Sequence, residues 1–176
     1  MSEKIRESDY YPLLEKWLVN RYLNCYDKYN SKTSFILKVR DENLVEFDIV
    51  GGYKWDNNKR FSTYSIELKI DNASDKLFDQ VKIRQKYCDH CWIAHSLGNS
   101  SNFFYHVLKE KEYLIDNGIG VLLVDLTTNR VFQVLETRIS KNKNVLPLLK
   151  RALVVKLGIT QFHFTKNVET EQIILE

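Results

Sequence analysis

Three ionisable side chains stand out by type and spacing: Asp48, Glu67 and Lys69. Between residues 44 and 50 the apolar Val45, Phe47 and Ile49 alternate with Glu46 and Asp48, the period of a strand with one apolar face. Residues 64–70 alternate in the same way, with Tyr64, Ile66, Leu68 and Ile70 on one side. Glu67 and Lys69 then project together from the other. If the two strands pair as a hairpin, Asp48 joins them on a polar sheet face. Two carboxylates and an ammonium gathered in this way suit phosphodiester hydrolysis. The carboxylates would hold a hard divalent cation, Mg²⁺ or Mn²⁺, which positions water and screens the charge of the transition state. The ammonium would stabilise that charge or assist the attacking water. Glu and Lys also alternate on many solvated strands, so the weight falls on the elements around them.

Those elements read as alternating helix and strand. Tyr10, Leu13, Leu14, Trp17, Leu18 and Tyr22 recur at helical spacing, with Ser8 or Asp9 as the cap and Pro12 in the first turn. After an irregular polar stretch at 24–32, residues 34–39 form a strand, and the Asp48 strand follows, ended or bent by Gly51-Gly52. Residues 54–60 are a loop or hairpin tip leading to the Glu67 strand. Residues 76–87 are a helix burying Leu77, Phe78 and Val81, and 91–94 a short buried strand. A helix at 103–115 stops at Asn117-Gly118, and the almost wholly apolar 119–124 is a strand deep in a sheet. Residues 131–135 are a further strand, 146–157 a last helix, and 162–164 and 173–175 edge strands.

This order, from Tyr10 to Ala94, resembles the PD-(D/E)XK nuclease superfamily, whose core is a helix, a strand, an Asp-bearing strand, a Glu-x-Lys strand, a helix and a further strand. The signature Asp is Asp48 in Glu46-Phe47-Asp48-Ile49-Val50-Gly51, and Glu-x-Lys is Glu67-Leu68-Lys69. Phe47 stands where a Pro often precedes the Asp. The resemblance covers about the first half of the chain. It implies an α/β fold with a restriction-endonuclease-like core, a central mixed sheet flanked by helices. It also implies Gln80 on the second helix as a supporting residue near the metal, and Asp89 before the next strand. Arg84 lies where relatives frequently have Tyr; Gln85 is a possible substitute, and Arg84 could instead grip a phosphate. Relatives place a Glu at the start of the first helix, which Glu7 fits, with Glu15 as second choice; either can also be an ordinary surface acid.

Composition sets the frame. A chain of 176 residues, 44% hydrophobic and 28% charged, suits one compact domain spanning 1–176. No apolar run approaches the roughly 20 residues needed to span a bilayer, and the start lacks a secretory signal, so a cytoplasmic protein with no membrane partner is expected. Three cysteines, an odd number, read as reduced thiols. Net charge is only +3, but no acid lies between Glu136 and Glu169, a stretch holding Arg138, Lys141, Lys143, Lys150, Arg151, Lys156 and Lys166. It could track phosphates or simply be a solvated surface.

Other constellations carry less. Cys88-Asp89-His90-Cys91, with His95 beyond, is half of a zinc site without the other half, and two buried thiols are the simpler reading. His90, His95, His106 and His163 have no identifiable nucleophile partner. Phe103-Phe104-Tyr105 could stack on bases, but suits core or a dimer contact better. No Gly-rich phosphate loop is present.

The expectation is therefore a nuclease cutting DNA. Asp48 and Glu67 hold Mg²⁺ or Mn²⁺, Lys69 orients water or offsets charge, Gln80 supports, and Glu7 completes the acidic cluster. Lys54, Lys59, Arg60, Lys82 and Arg84 are candidates for gripping the DNA backbone. Two cuts would need two subunits, so a homodimer is expected. The rival is a noncatalytic nucleic-acid-binding or assembly module on the same fold.

Overall fold

The computed structural model describes residues 5–22, 26–37, 45–55, 61–71 and 75–139. The elements expected at 146–157, 162–164 and 173–175, and all of the basic stretch except Arg138, lie outside the described residues.

The fold is α/β: a six-stranded mixed sheet with helices on both faces. In chain order the elements are α1 (Tyr11–Tyr22), β1 (Tyr26–Leu37), β2 (Val45–Trp55), β3 (Phe61–Lys69), α2 (Asp75–Arg84), β4 (His90–Ser96), α3 (Ser100–Lys109), α4 (Lys111–Asn117), β5 (Gly120–Asp125) and β6 (Arg130–Leu135). The sheet order is β1-β2-β3-β4-β5-β6. The pairs β1–β2, β2–β3 and β5–β6 are antiparallel, while β3–β4 and β4–β5 are parallel. Parallel neighbours need a crossover, which α2 supplies for β3–β4 and the α3–α4 pair for β4–β5.

Each sheet face has its own core. On one, Leu14 and Leu18 of α1 pack on Ile49, Tyr64, Ile66, Leu68, Trp92, Ala94, Leu122 and Val124. On the other, Leu77, Phe78 and Val81 of α2, Phe103 of α3 and Leu114 of α4 pack on Val50, Cys91, Ile93, Val121 and Leu123. A fully buried Leu, Ile or Phe stabilises by roughly 1.5–3 kcal/mol, so α1 is held mainly by Leu14 and Leu18, both fully buried. Among the described residues no helix is long and apolar enough to cross a membrane.

Three expectations need correction. First, Gly51-Gly52 does not end the second strand, since β2 runs on through both to Trp55 and takes in Lys54. Gly51 lies opposite Tyr64, whose buried ring covers it; a Cβ there would sit 2.0 Å from the Tyr64 hydroxyl oxygen. The glycine makes room for an aromatic ring. Second, β1 begins at Tyr26 inside the stretch expected to be irregular, because the lengthened β2 offers it a ladder from Trp55 to Val45. An edge strand held by backbone bonds needs no apolar alternation. Third, the helix expected at 103–115 is two helices, α3 starting at Ser100 and α4 at Lys111. Glu110 between them leaves helical geometry (φ −95°, ψ 8°). Its N–H still donates to the His106 carbonyl and its own carbonyl accepts from Leu114, so the break is one residue wide. Gly118, in the left-handed region at φ 69°, ends α4 as expected.

Candidate active site

The site forms where β2 and β3 part. Their ladder runs in register from Lys54–Phe61 to Ile49–Ile66 and stops there. One further step of the same register would set Asp48 opposite Glu67. Instead the Asp48 side chain enters the gap, and its Oδ2 accepts the Leu68 N–H at 2.8 Å. A carboxylate thus replaces a backbone carbonyl in the ladder and is fixed against β3. Alternation also breaks here: Ile49 packs on the α1 side, whereas Phe47 packs with Val50 on the α2 side.

Glu67 and Lys69 share the α2 side of β3 with Ser65, whose hydroxyl donates to Cys91 Sγ at 3.3 Å. Their face is not an open polar surface, contrary to the expectation from alternation alone. The helices α2, α3 and α4 cover it, because strands in a parallel sheet are buried on both sides. Glu67 is only 3% exposed. Glu7, in a one-turn 3₁₀ helix before α1, accepts a hydrogen bond from Lys69 Nζ at 3.0 Å. Glu7 rather than Glu15 is therefore the acid that meets the cluster.

Arg84 stands opposite Glu67, its Nε 3.1 Å from Glu67 Oε2. It is 7% exposed, and its Nη1 and Nη2 donate to the carbonyls of Gln80 and Glu46. The expectation that Arg84 grips a DNA phosphate is corrected: its guanidinium is spent inside the protein. A sequence signal for this existed, since Leu77, Val81 and Arg84 follow the i, i+4, i+7 spacing of the buried face of α2. A charge on an apolar stripe needs a buried partner.

Burial, and then the negative charge of Asp48, push the Glu67 carboxyl up to about 8, against the attraction of Arg84 and Lys69. Burial also raises Asp48, partly offset by the Leu68 N–H. The charge of Asp48 thus adds to burial in favouring the protonated form of Glu67. Half-burial works against the Lys69 ammonium, but the bond from Glu7 and the charges of Glu7, Asp48 and Glu67 carry its pKa above the ordinary value.

The remaining candidates fall outside this cluster. Gln80, one turn before Arg84, has its side-chain oxygen buried without a hydrogen bond. Gln85 instead donates to the Tyr113 hydroxyl. Lys82, the candidate for the DNA backbone on α2, pairs with Glu110 at 3.2 Å and lies over the Tyr113 ring. Lys59, Arg60 and the side chain of Lys54 lie outside the described residues. Asp89 clasps β3, its Oδ2 accepting the N–H and hydroxyl of Thr63 at 2.8 and 3.1 Å. His95, beside Lys69 in the β3–β4 register, places its ring nitrogens 2.7 Å from the Asp71 carbonyl and 2.8 Å from that of Ser96. That ties the end of β3 to β4. Cys88 and Cys91 are buried free thiols, and burial pushes the Cys88 thiol well up. Of Phe103, Phe104 and Tyr105, the first is core and the last is exposed.

Among the described residues, no three His, Cys, Asp or Glu side chains are grouped so as to hold a metal by themselves. Asp48 and Glu67, the two acids electrostatically coupled here, offer hard oxygens. Mg²⁺ is commonly bound by one or two carboxylates, with water and substrate phosphate completing its shell. Burial first, and the charge of Asp48 second, disfavour the Glu67 carboxylate, and a divalent ion beside both acids would favour it. The donor set fits such an ion.

No protein-family model matches the chain, and no curated protein matches it. Among solved structures, a Silicibacter pomeroyi protein of unknown function overlaps with a TM-score of 0.46 and 16% identity, over 74% of this chain and 73% of that one. An FdxN element excision controlling factor from Anabaena variabilis overlaps with a TM-score of 0.37 and 15% identity, over 69% of this chain and 97% of that one. Overlaps of this degree do not assign a family.

Proposed function

We propose that this protein is a cytoplasmic, divalent-metal-dependent nuclease that hydrolyses phosphodiester bonds in DNA, with Asp48 and Glu67 as metal ligands and Lys69 at the reacting phosphate. One observation carries the reading: at the point where β2 and β3 separate, the Asp48 carboxylate held by the Leu68 N–H and the buried Glu67 carboxyl, raised by burial and by the charge of Asp48, stand within the field of a lysine. Bound Mg²⁺ or Mn²⁺ would act as a Lewis acid on the phosphate and lower the pKa of a bound water.

The chain's own residues do the rest. Leu68 N–H fixes the Asp48 carboxylate, so that its position is set before substrate arrives. Glu7 favours the protonated form of Lys69, the last residue of β3, where an ammonium would offset charge on a phosphate oxygen. Gln80, with a buried and unpaired amide oxygen, is the candidate support on α2. Lys54, Lys59 and Arg60, with the basic stretch after Glu136, are the candidates for contact with DNA phosphates. One such site cuts one strand, so a double-strand cutter would act as a homodimer.

A second reading has its own support. Each acid of the cluster already meets a cation or a donor: Glu67 faces the Arg84 guanidinium, Glu7 meets Lys69, and Asp48 meets the Leu68 N–H. Such a network could be structural, and the fold a noncatalytic nucleic-acid-binding or assembly module. Labelled linear, branched and supercoiled DNA, and an RNA of the same sequence, incubated with Mg²⁺, Mn²⁺ or EDTA, separate the two. Metal-dependent cutting of DNA is expected. DNA binding without cutting, by folded protein in either metal, favours the module, and cutting of RNA alone changes the substrate.

A further inference from the structure

Resting on that reading, we propose that Arg84 is a tethered counter-cation of Glu67, a positioning residue that competes with the divalent ion for this carboxylate and so sets how tightly the site binds metal.

The geometry carries this. The guanidinium is a cation and nearly buried, so it needs anionic company. Its Nε lies 3.1 Å from Glu67 Oε2, yet the two atoms are not aligned as a hydrogen bond. Its hydrogen bonds go elsewhere, from Nη1 to the Gln80 carbonyl and from Nη2 to the Glu46 carbonyl. Arg84 is therefore placed by backbone carbonyls of α2 and β2, and not by a hydrogen bond to the carboxylate it faces. When Glu67 turns toward a metal, the guanidinium has no reason to leave.

Its charge then acts on whatever the carboxylates hold. With all groups ionised, Asp48, Glu67 and Glu7 oppose Lys69 and Arg84, leaving a single net negative charge. Without Arg84 the cluster would carry two. A fixed positive charge beside a divalent ion repels it, and a fixed positive charge beside an empty pair of acids stabilises them. One residue thus stabilises the metal-free protein and weakens the metal-bound one. An ordinary structural arginine would do only the first.

The test is Mn²⁺ binding by calorimetry to the full chain without DNA, for wild type, Arg84→Met and Arg84→Lys. Met keeps the aliphatic stem and removes the charge, while Lys keeps the charge and loses the fork. Arg84→Met is expected to bind Mn²⁺ about tenfold more tightly than wild type, and Arg84→Lys within about threefold of it. Equal or weaker binding by folded Arg84→Met overturns the inference. If wild type cuts DNA at the same time, the nuclease reading stands without it. Mn²⁺ binding by Arg84→Met but not by wild type supports the tethered cation and counts against metal-dependent catalysis by the wild type. Should Arg84→Met fail to fold in EDTA, folding rescued by Mn²⁺ supports the inference, and failure in both overturns it.

Discussion

Replacing Glu67 by Gln keeps the shape of the side chain and removes its charge, and the consequence depends on pH in a way the structure specifies. A carboxyl raised in the folded state from its ordinary 4.5 to about 8 is bound to its proton more tightly folded than unfolded. Below pH 4.5 both states are protonated and nothing is lost. Between 4.5 and 8 the unfolded chain ionises while the folded one resists, so stability falls as pH rises, and above 8 the loss is complete. The rise corresponds to about 5 kcal/mol across that window as an upper figure. Gln behaves as a permanently protonated Glu, less about 1–2 kcal/mol for turning an amide toward Arg84. Urea melts in EDTA should therefore show Glu67→Gln near wild type at pH 5 and more stable by about 3 kcal/mol at pH 9. In thermal melts that is about 6–12 °C. Saturating Mn²⁺ should close the gap at pH 9 by stabilising wild type alone. Parallel pH courses for the two proteins, or a variant weaker at pH 9, would refute the reasoning that Glu67 is a strained carboxylate awaiting a cation.

Other consequences are more local. Lys69→Met should lower the rate of DNA cleavage by about 10²–10³ without weakening Mn²⁺ binding, read by single-turnover kinetics beside calorimetry. Gly51→Ala should destabilise by about 1–3 kcal/mol in urea, because its methyl meets a buried Tyr64 ring that has no room to swing. Asp89→Ala should cost about 1–2 kcal/mol by leaving the Thr63 N–H and hydroxyl without their acceptor, and hydrogen exchange at Thr63 should quicken.

How much of this was legible in the sequence depends on which force places each residue. Strand alternation revealed that Glu67 and Lys69 share a face, since their neighbours Ile66 and Leu68 are fully buried on the other. Helical spacing found α1 through Leu14 and Leu18, and Gly118 marked the end of α4. Alternation could not tell a solvated face from one covered by α2, because that depends on what packs there and not on the strand. Nor could it foresee that the strand lets go at Asp48, where a side chain substitutes for a backbone acceptor. Gly51 misled for a related reason: a glycine under a cross-strand aromatic looks in sequence like a glycine in a turn. The most informative missed signal was Arg84. Its place on the apolar stripe of α2 demanded a buried anion, and the anion was already in view as Glu67.

The central claim is that the carboxylates of Asp48 and Glu67 serve a divalent ion that cuts DNA, and Asp48→Asn tests it with little disturbance. The amide oxygen of Asn can still accept the Leu68 N–H, so the fold should survive while the metal loses an anionic ligand. Nicking of labelled DNA in Mg²⁺ should fall by about 10³ or more in the variant, and should vanish for wild type in EDTA. Undiminished nicking by Asp48→Asn, or by wild type in EDTA, would contradict the account.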